Sequence, residues 1–460
     1  MIFSSLMFLF LFLPIVLISY YSLNNKFKNY VLLLASLFFY AWGEPKYIYL
    51  MIFSILINYL FGLKVSEDSK SNKKLWLILS VVFNLGLLVI FKYADFLFGI
   101  KGIKLPLGIS FFTFQTMSYV IDVYRKDGKV QKNISDLALY ISLFPQLVAG
   151  PIVRYQTVYE QINKRTHSLE KFADGVNRFV IGLAKKVILS NQLAMIADGV
   201  FNSSTSSLSM GESWLGIICY TLQIYFDFGG YSDMAIGLGK MFGFDFLENF
   251  NYPYISQSVS EFWRRWHISL GSWFRDYVYI PLGGSRVSKL KLYRNLFVVW
   301  GLTGIWHGAS LNFIIWGLYF GVFIALEKAF LEKILYKLPK ILRHIYLLLI
   351  AMIGWVFFRA NNIEQAIEFI KVMIGIGSNP LFSNMFLMYI NDYWYIISAS
   401  IVFATPIVEK IKHMIISKDK NLLENSLVYM MQGLVLTSFL FVVVVMLNSS
   451  SYNPFLYFRF

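Results

Sequence analysis

RNLFVVWGLTGIWHGASLNFIIWGLYFGVFIALEK, residues 294–328, decides the fold. It is almost wholly apolar, and His307 stands near its middle. An ionisable group at bilayer depth is costly and marks either a functional site or a core side chain hydrogen-bonded to another helix. Gly304 and Gly308 flank it at GxxxG spacing, which lets neighbouring backbone approach closely. Ser310 and Asn312 follow, so a helix break is expected just past the histidine. Broken backbone at that depth is tolerated where it is buried in protein or lines a cavity.

Comparable apolar runs recur from end to end, each near the roughly 20 residues that cross a bilayer. Only 15% of the 460 residues are charged, against about 25% in soluble domains. The chain therefore reads as an all-α polytopic membrane protein, one integrated bundle over 1–460. Its net charge of +15 belongs in cytoplasmic loops facing anionic headgroups rather than on a nucleic acid. The one cysteine, Cys219, lies in an apolar run and excludes an internal disulfide or a Cys-rich metal site. The first apolar segment lacks a basic lead-in and a small-residue cleavage site, and reads as a retained span.

Lys26 and Lys28 follow that span and should be cytoplasmic, as should the loop 64–74. Further runs cover about 29–42, 47–63 and 75–98. The segment PLGISFFTFQTMSYVIDVYR (106–125) is too rich in hydroxyls and amides to face lipid. FPQLVAGPIVR (144–154) is expected to bend or re-enter. Residues 155–172 are polar, with His167 expected at a solvated surface. Helices follow over 173–200 and 212–242. Asp227 and Asp233 in the second need partners or a wet cavity. Later spans are expected near 341–358, 391–408 and 427–448, with 409–420 a basic cytoplasmic loop. No chemistry is assigned to His344 or His413.

Residues 262–284, FWRRWHISLGSWFRDYVYIPLGG, mix tryptophan, tyrosine and arginine as an interfacial amphipathic helix does. His267 sits in their middle, forty residues before His307. Two histidines with a basic rim suit acyl transfer. An imidazole can take a proton from a hydroxyl nucleophile, a second polar group can orient the first or support an oxyanion, and arginines can hold phosphates. The arginines are equally compatible with a plain positive-inside belt. Two histidines without ligand spacing make a metal site improbable. No G-x-S-x-G elbow and no Walker A loop is present.

These runs, with EFWRRWHISLGSWFRDYVYIPLGGSR, QIYFDFGGYSDMAIGLG, GIWHGASLNFIIWG and the terminal NPFLYFRF, together resemble the membrane-bound O-acyltransferase family. The resemblance is to its bacterial branch typified by the alginate O-acetyltransferase membrane subunit. It implies a ring of transmembrane helices with re-entrant segments around a central funnel or tunnel. It places the catalytic histidine at His307 and the second polar position at His267. The candidate donor-binding residues, read from the basic rim over 264–294, are Arg264, Arg265, Trp266 and Arg275. It implies no cofactor, acetyl-CoA as a donor substrate, a polysaccharide acceptor, a separate extracytoplasmic acetyltransferase partner and residence in the bacterial cytoplasmic membrane. Two readings compete from other classes. A transporter would share the buried polar groups and broken helices. A scaffold subunit would not need the histidines but would need the tail 453–460. D-alanyl transfer to a teichoic acid-like polymer is the alternative within the enzyme class.

Overall fold

A computed structural model describes residues 1–147, 150–418, 426–450, 452–454 and 456, and among them there are helices and no strands. Seven of the described helices are long and apolar enough to cross a membrane: Ile48–Val65, Lys73–Phe98, Leu169–Asn202, Leu311–Leu335, Lys340–Arg359, Asn384–Phe403 and Val428–Ser449. Their outer faces leave large side chains such as Tyr49, Ile78, Leu434 and Phe441 exposed, as lipid-facing surfaces do. The protein is an all-α polytopic membrane protein. Its residues cluster into two compact units, 1–183 with 231–248, and 184–230 with 249–460.

In the first unit, polar side chains join helices where lipid offers no hydrophobic drive. Asn84 Nδ2 donates to Asn58 Oδ1 at 2.8 Å, and Thr116 donates to Asn84 Oδ1 at 2.9 Å, tying Ile48–Val65, Lys73–Leu88 and Ile109–Arg125 together. The last of these is buried on nearly every side, which is why its hydroxyls and amides are tolerated. Asp233 is paired with Arg178 at 2.7 Å. His167 departs from expectation: it is half-buried, and its Nε2 lies 2.8 Å from the Tyr20 hydroxyl. Phe144–Leu147 form a single helical turn, and 150–153 are buried and non-helical, while 148 and 149 of that stretch lie outside the described residues.

The second unit is organised by a hairpin of Lys289–His307 and Leu311–Leu326. Helix one ends at His307, Gly308 is extended, and helix two begins after Ser310, so the expected break is present. The two helices meet at Gly304 and Gly317. A Cβ on either would collide with the facing backbone, Phe313 O or Trp300 O. Tyr319 donates to Ile350 O at 3.0 Å and binds the hairpin to Lys340–Arg359.

Two expectations are corrected. Residues 262–284 are not one interfacial helix but Val259–Arg265, Ile268–Phe274 and the turn Arg275–Tyr279. Their Trp266, Trp273 and Tyr277 point inward and are buried. The bend falls at His267, whose backbone is left-handed (φ 44°). The supposed loop 409–420 is largely the helix Ile407–Lys418. Residues 419 and 420, the His413 side chain, and tail residues 451, 455 and 457–460 lie outside the description.

Candidate functional site

His307 reaches its place because its helix stops there, putting the ring at the turn of the hairpin. The ring is only 6% exposed and meets aromatic edges on three sides: Trp306 at 5.0 Å, Trp316 at 4.8 Å and Phe358 at 5.4 Å between centroids. Behind it lies a cavity of about 20 Å³, lined by Ile224, Phe228, Trp266, His307, Trp316, Trp355, Phe358 and Leu456. That is room for about one water. An acetyl thioester is larger, so it reaches the ring only if part of the wall moves.

His267 is placed by its neighbours on both sides. The buried Glu327 carboxylate accepts Val259 N–H at 2.6 Å and Ser260 N–H at 2.8 Å, capping the helix Val259–Arg265. At the other end Asn249 Oδ1 accepts Ser269 N–H at 3.1 Å and Ser269 O–H at 2.8 Å. The backbone N–H fixes which end of the amide is oxygen. His267 Nδ1 lies 3.2 Å from the same oxygen, so it must donate, and the lone pair sits on Nε2. The His267 ring packs on Phe228 at 4.6 Å and Trp306 at 6.1 Å. Both histidines thus touch Trp306, and Phe228 joins the His267 side to the cavity wall.

Of the expected donor-side residues, only Trp266 lines this cavity, tilted against Trp355 at 4.9 Å between centroids. Arg264 is exposed. Arg265 is held by Glu261 at 3.0 Å and Arg275 by Asp276 at 2.7 Å. A phosphate arriving at either guanidinium would compete with those carboxylates. Among the described residues no group of three or more His, Cys, Asp or Glu is arranged to hold a metal ion.

One part of the wall was not foreseen. Tyr452, Asn453, Pro454 and Leu456 are held in the unit by three polar anchors. Tyr452 donates to Asp198 Oδ2 at 2.6 Å, Asn191 donates to Asn453 Oδ1 at 3.2 Å, and Leu456 N–H donates to Asp227 Oδ2 at 2.9 Å. Asp227 is paired at 2.5 Å with Lys186, both side chains 2% exposed, and Lys186 also donates to Pro454 O. Arg359 braces Asp198 at 2.5 Å. The apolar setting of Asp227 announced a partner. Nothing in the sequence announced that the partner would also hold the segment whose Leu456 faces His307.

The profile of the family described as MBOAT, membrane-bound O-acyltransferase family, matches residues 2–360. The chain is 45% identical over 395 residues to the probable alginate O-acetylase AlgI of Pseudomonas aeruginosa, covering 82% of this chain and 76% of the relative. It is 37% identical over 458 residues to the peptidoglycan O-acetyltransferase of Helicobacter pylori, covering 88% and 86%. Against the teichoic acid D-alanyltransferase of Bacillus subtilis it is 32% identical over 241 residues, covering 49% and 60%.

Proposed function

The chain belongs to the membrane-bound O-acyltransferase family and is an acyltransferase; from that premise we propose that it moves an acetyl group from a cytoplasmic thioester, acetyl-CoA, for O-acetylation of a secreted or cell-surface polysaccharide. The alginate O-acetylase and the peptidoglycan O-acetyltransferase are more similar to this chain, at 45% and 37% identity over 82% and 88% of it, than the D-alanyltransferase at 32% over 49%, which favours acetyl over D-alanyl transfer. The observation that carries the reading is His307, an imidazole on the wall of a buried apolar cavity at the end of a broken helix.

In this reading the His307 imidazole takes the proton of a hydroxyl, on the polymer or on an extracytoplasmic acetyltransferase partner in the bacterial cytoplasmic membrane. The oxygen attacks the thioester carbonyl, and the tetrahedral intermediate collapses to an ester. The departing thiolate recovers the proton from the imidazolium, so no cofactor is consumed. His267 supports this arrangement through Trp306. The exposed Arg264 meets the donor phosphates, and Arg265 and Arg275 do so only on release from Glu261 and Asp276. Excluding water from the aromatic box protects the thioester from hydrolysis.

The test is His307→Ala, with polymer acetylation and membrane level measured together. Loss of a general base costs about 10²–10⁴ in rate, so acetylation should fall by that factor with the protein inserted at normal level. Wild-type acetylation would remove His307 from the chemistry. Polymer export lost with acetyl-CoA turnover intact would point to transport instead.

A further inference from the structure

A second cavity, of about 290 Å³, opens in the first unit. Its wall carries Lys26, Lys28, Arg165 and His167 with the amides Asn25, Asn29, Asn133 and Asn163. Asp136 is the carboxylate on that wall, and it already accepts from Asn29 Nδ2 at 3.1 Å. We infer that this pocket binds a phosphate group at the membrane surface, and that its occupant is the headgroup of an anionic phospholipid.

The cations are gathered by one residue. Tyr20 lies 2.8 Å from His167 Nε2, accepts from Arg165 Nε at 2.9 Å, and offers its ring to Lys28 at 5.1 Å. Arg165 is fixed further by Asn29 Oδ1 at 2.7 Å and Ile162 O at 2.8 Å. Burial first, then the Arg165 charge, holds the Lys28 ammonium below its ordinary value. Burial followed by Lys28, Arg165 and Lys171 does the same to His167. In both groups burial is the larger cause, and the neighbouring cations add a smaller repulsion that an anion in the pocket would offset. The helix Asn25–Gly43 also begins here with no side-chain cap and no acidic residue in its first turn, so its N–H groups and dipole favour a phosphate.

The choice of lipid follows from what borders the pocket. It lies where the apolar helix Leu13–Ser22 gives way to Asn25–Gly43, the level of headgroups beside an apolar span. Ile18 is 67% and Phe27 53% exposed beside it, a surface suited to acyl chains. A charged hollow above an apolar flank matches an amphiphile. The inference stands apart from the acetyl-transfer reading.

The full chain, purified in neutral detergent, is to be titrated with dioleoylphosphatidylglycerol or dioleoylphosphatidylcholine and followed by native mass spectrometry and thermal unfolding. The anionic lipid should be retained and raise Tm where the zwitterionic one does not. In Lys26→Gln/Lys28→Gln that preference should weaken about fivefold for each lysine removed. Lys26→Gln alone, at an exposed position, gives the same sign should the double variant fold poorly. Equal retention of both lipids, or an unchanged preference in the single and double variants, overturns the inference. Parallel titrations with inorganic phosphate and with coenzyme A separate the sources. Stabilisation by these without any by phosphatidylglycerol overturns the lipid as occupant.

Discussion

At the scale of single residues, the left-handed backbone of His267 is a constraint that side-chain chemistry must respect. This conformation costs an ordinary residue about 1–2 kcal/mol, less for asparagine, and is worst for β-branched side chains. His267→Asn should therefore fold close to normally while removing the imidazole. His267→Val should lower the thermal midpoint of the purified protein and its membrane level. Equal stability of the two would show that the bend relaxes. His307 stood out in the sequence because a titratable ring in an apolar run demands a reason, and it lies on the cavity wall. The turn at His267 was not, since no pattern along the chain signals a positive φ on a histidine. Arg265 and Arg275 read as phosphate ligands, yet each has a carboxylate at a reachable neighbour, Glu261 or Asp276, that claims it first.

Among elements, the hairpin that presents His307 depends on backbone contact at Gly304. Gly304→Ala inserts a methyl into Phe313 O and should cost about 1–3 kcal/mol as the helices part. Gly301→Ala is the control, because its methyl meets only Leu318 Cδ2 at 3.9 Å and should be tolerated. Thermal unfolding of both variants checks this, and equal losses would refute the close-contact account. The buried Lys186–Asp227 pair makes a second case. Lys186→Met leaves a buried carboxylate without its counter-charge and should cost about 3–5 kcal/mol, while Lys186→Met/Asp227→Leu should recover much of that. Helix positions were mostly readable from apolar runs, and the GxxxG spacing anticipated the hairpin. The error over 262–284 has a physical cause. Tryptophan and arginine alternate there as they do at a membrane surface, but the bend at His267 turns the indoles into the protein and leaves Arg264 and Arg275 outside.

For the molecule as a whole, the proposed acetyl transfer needs more room around His307 than the cavity of about 20 Å³ provides. Leu456 is the wall residue that comes from the C-terminal stretch, whose described residues are held through Asp227, Lys186 and Asn191. Leu456→Ala should enlarge the cavity, cost about 2–5 kcal/mol of stability, and raise turnover of propionyl-CoA relative to acetyl-CoA. An unchanged ratio between the two donors would show that Leu456 does not limit acyl size. Membership of a polytopic all-α family was legible from composition and ordered motifs. The arrangement of 452–456 was not, because it joins residues separated by more than two hundred positions.

Four indoles, Trp266, Trp306, Trp316 and Trp355, line the cavity beside His307 or touch its ring, with Trp316 lying 6.0 Å from Trp355. More than a third of the chain's 11 tryptophans therefore share one buried compartment. Ultraviolet emission from the unlabelled protein should be blue-weighted while that compartment stays shut and shift to the red as solvent enters, giving gating an optical signal without an added dye.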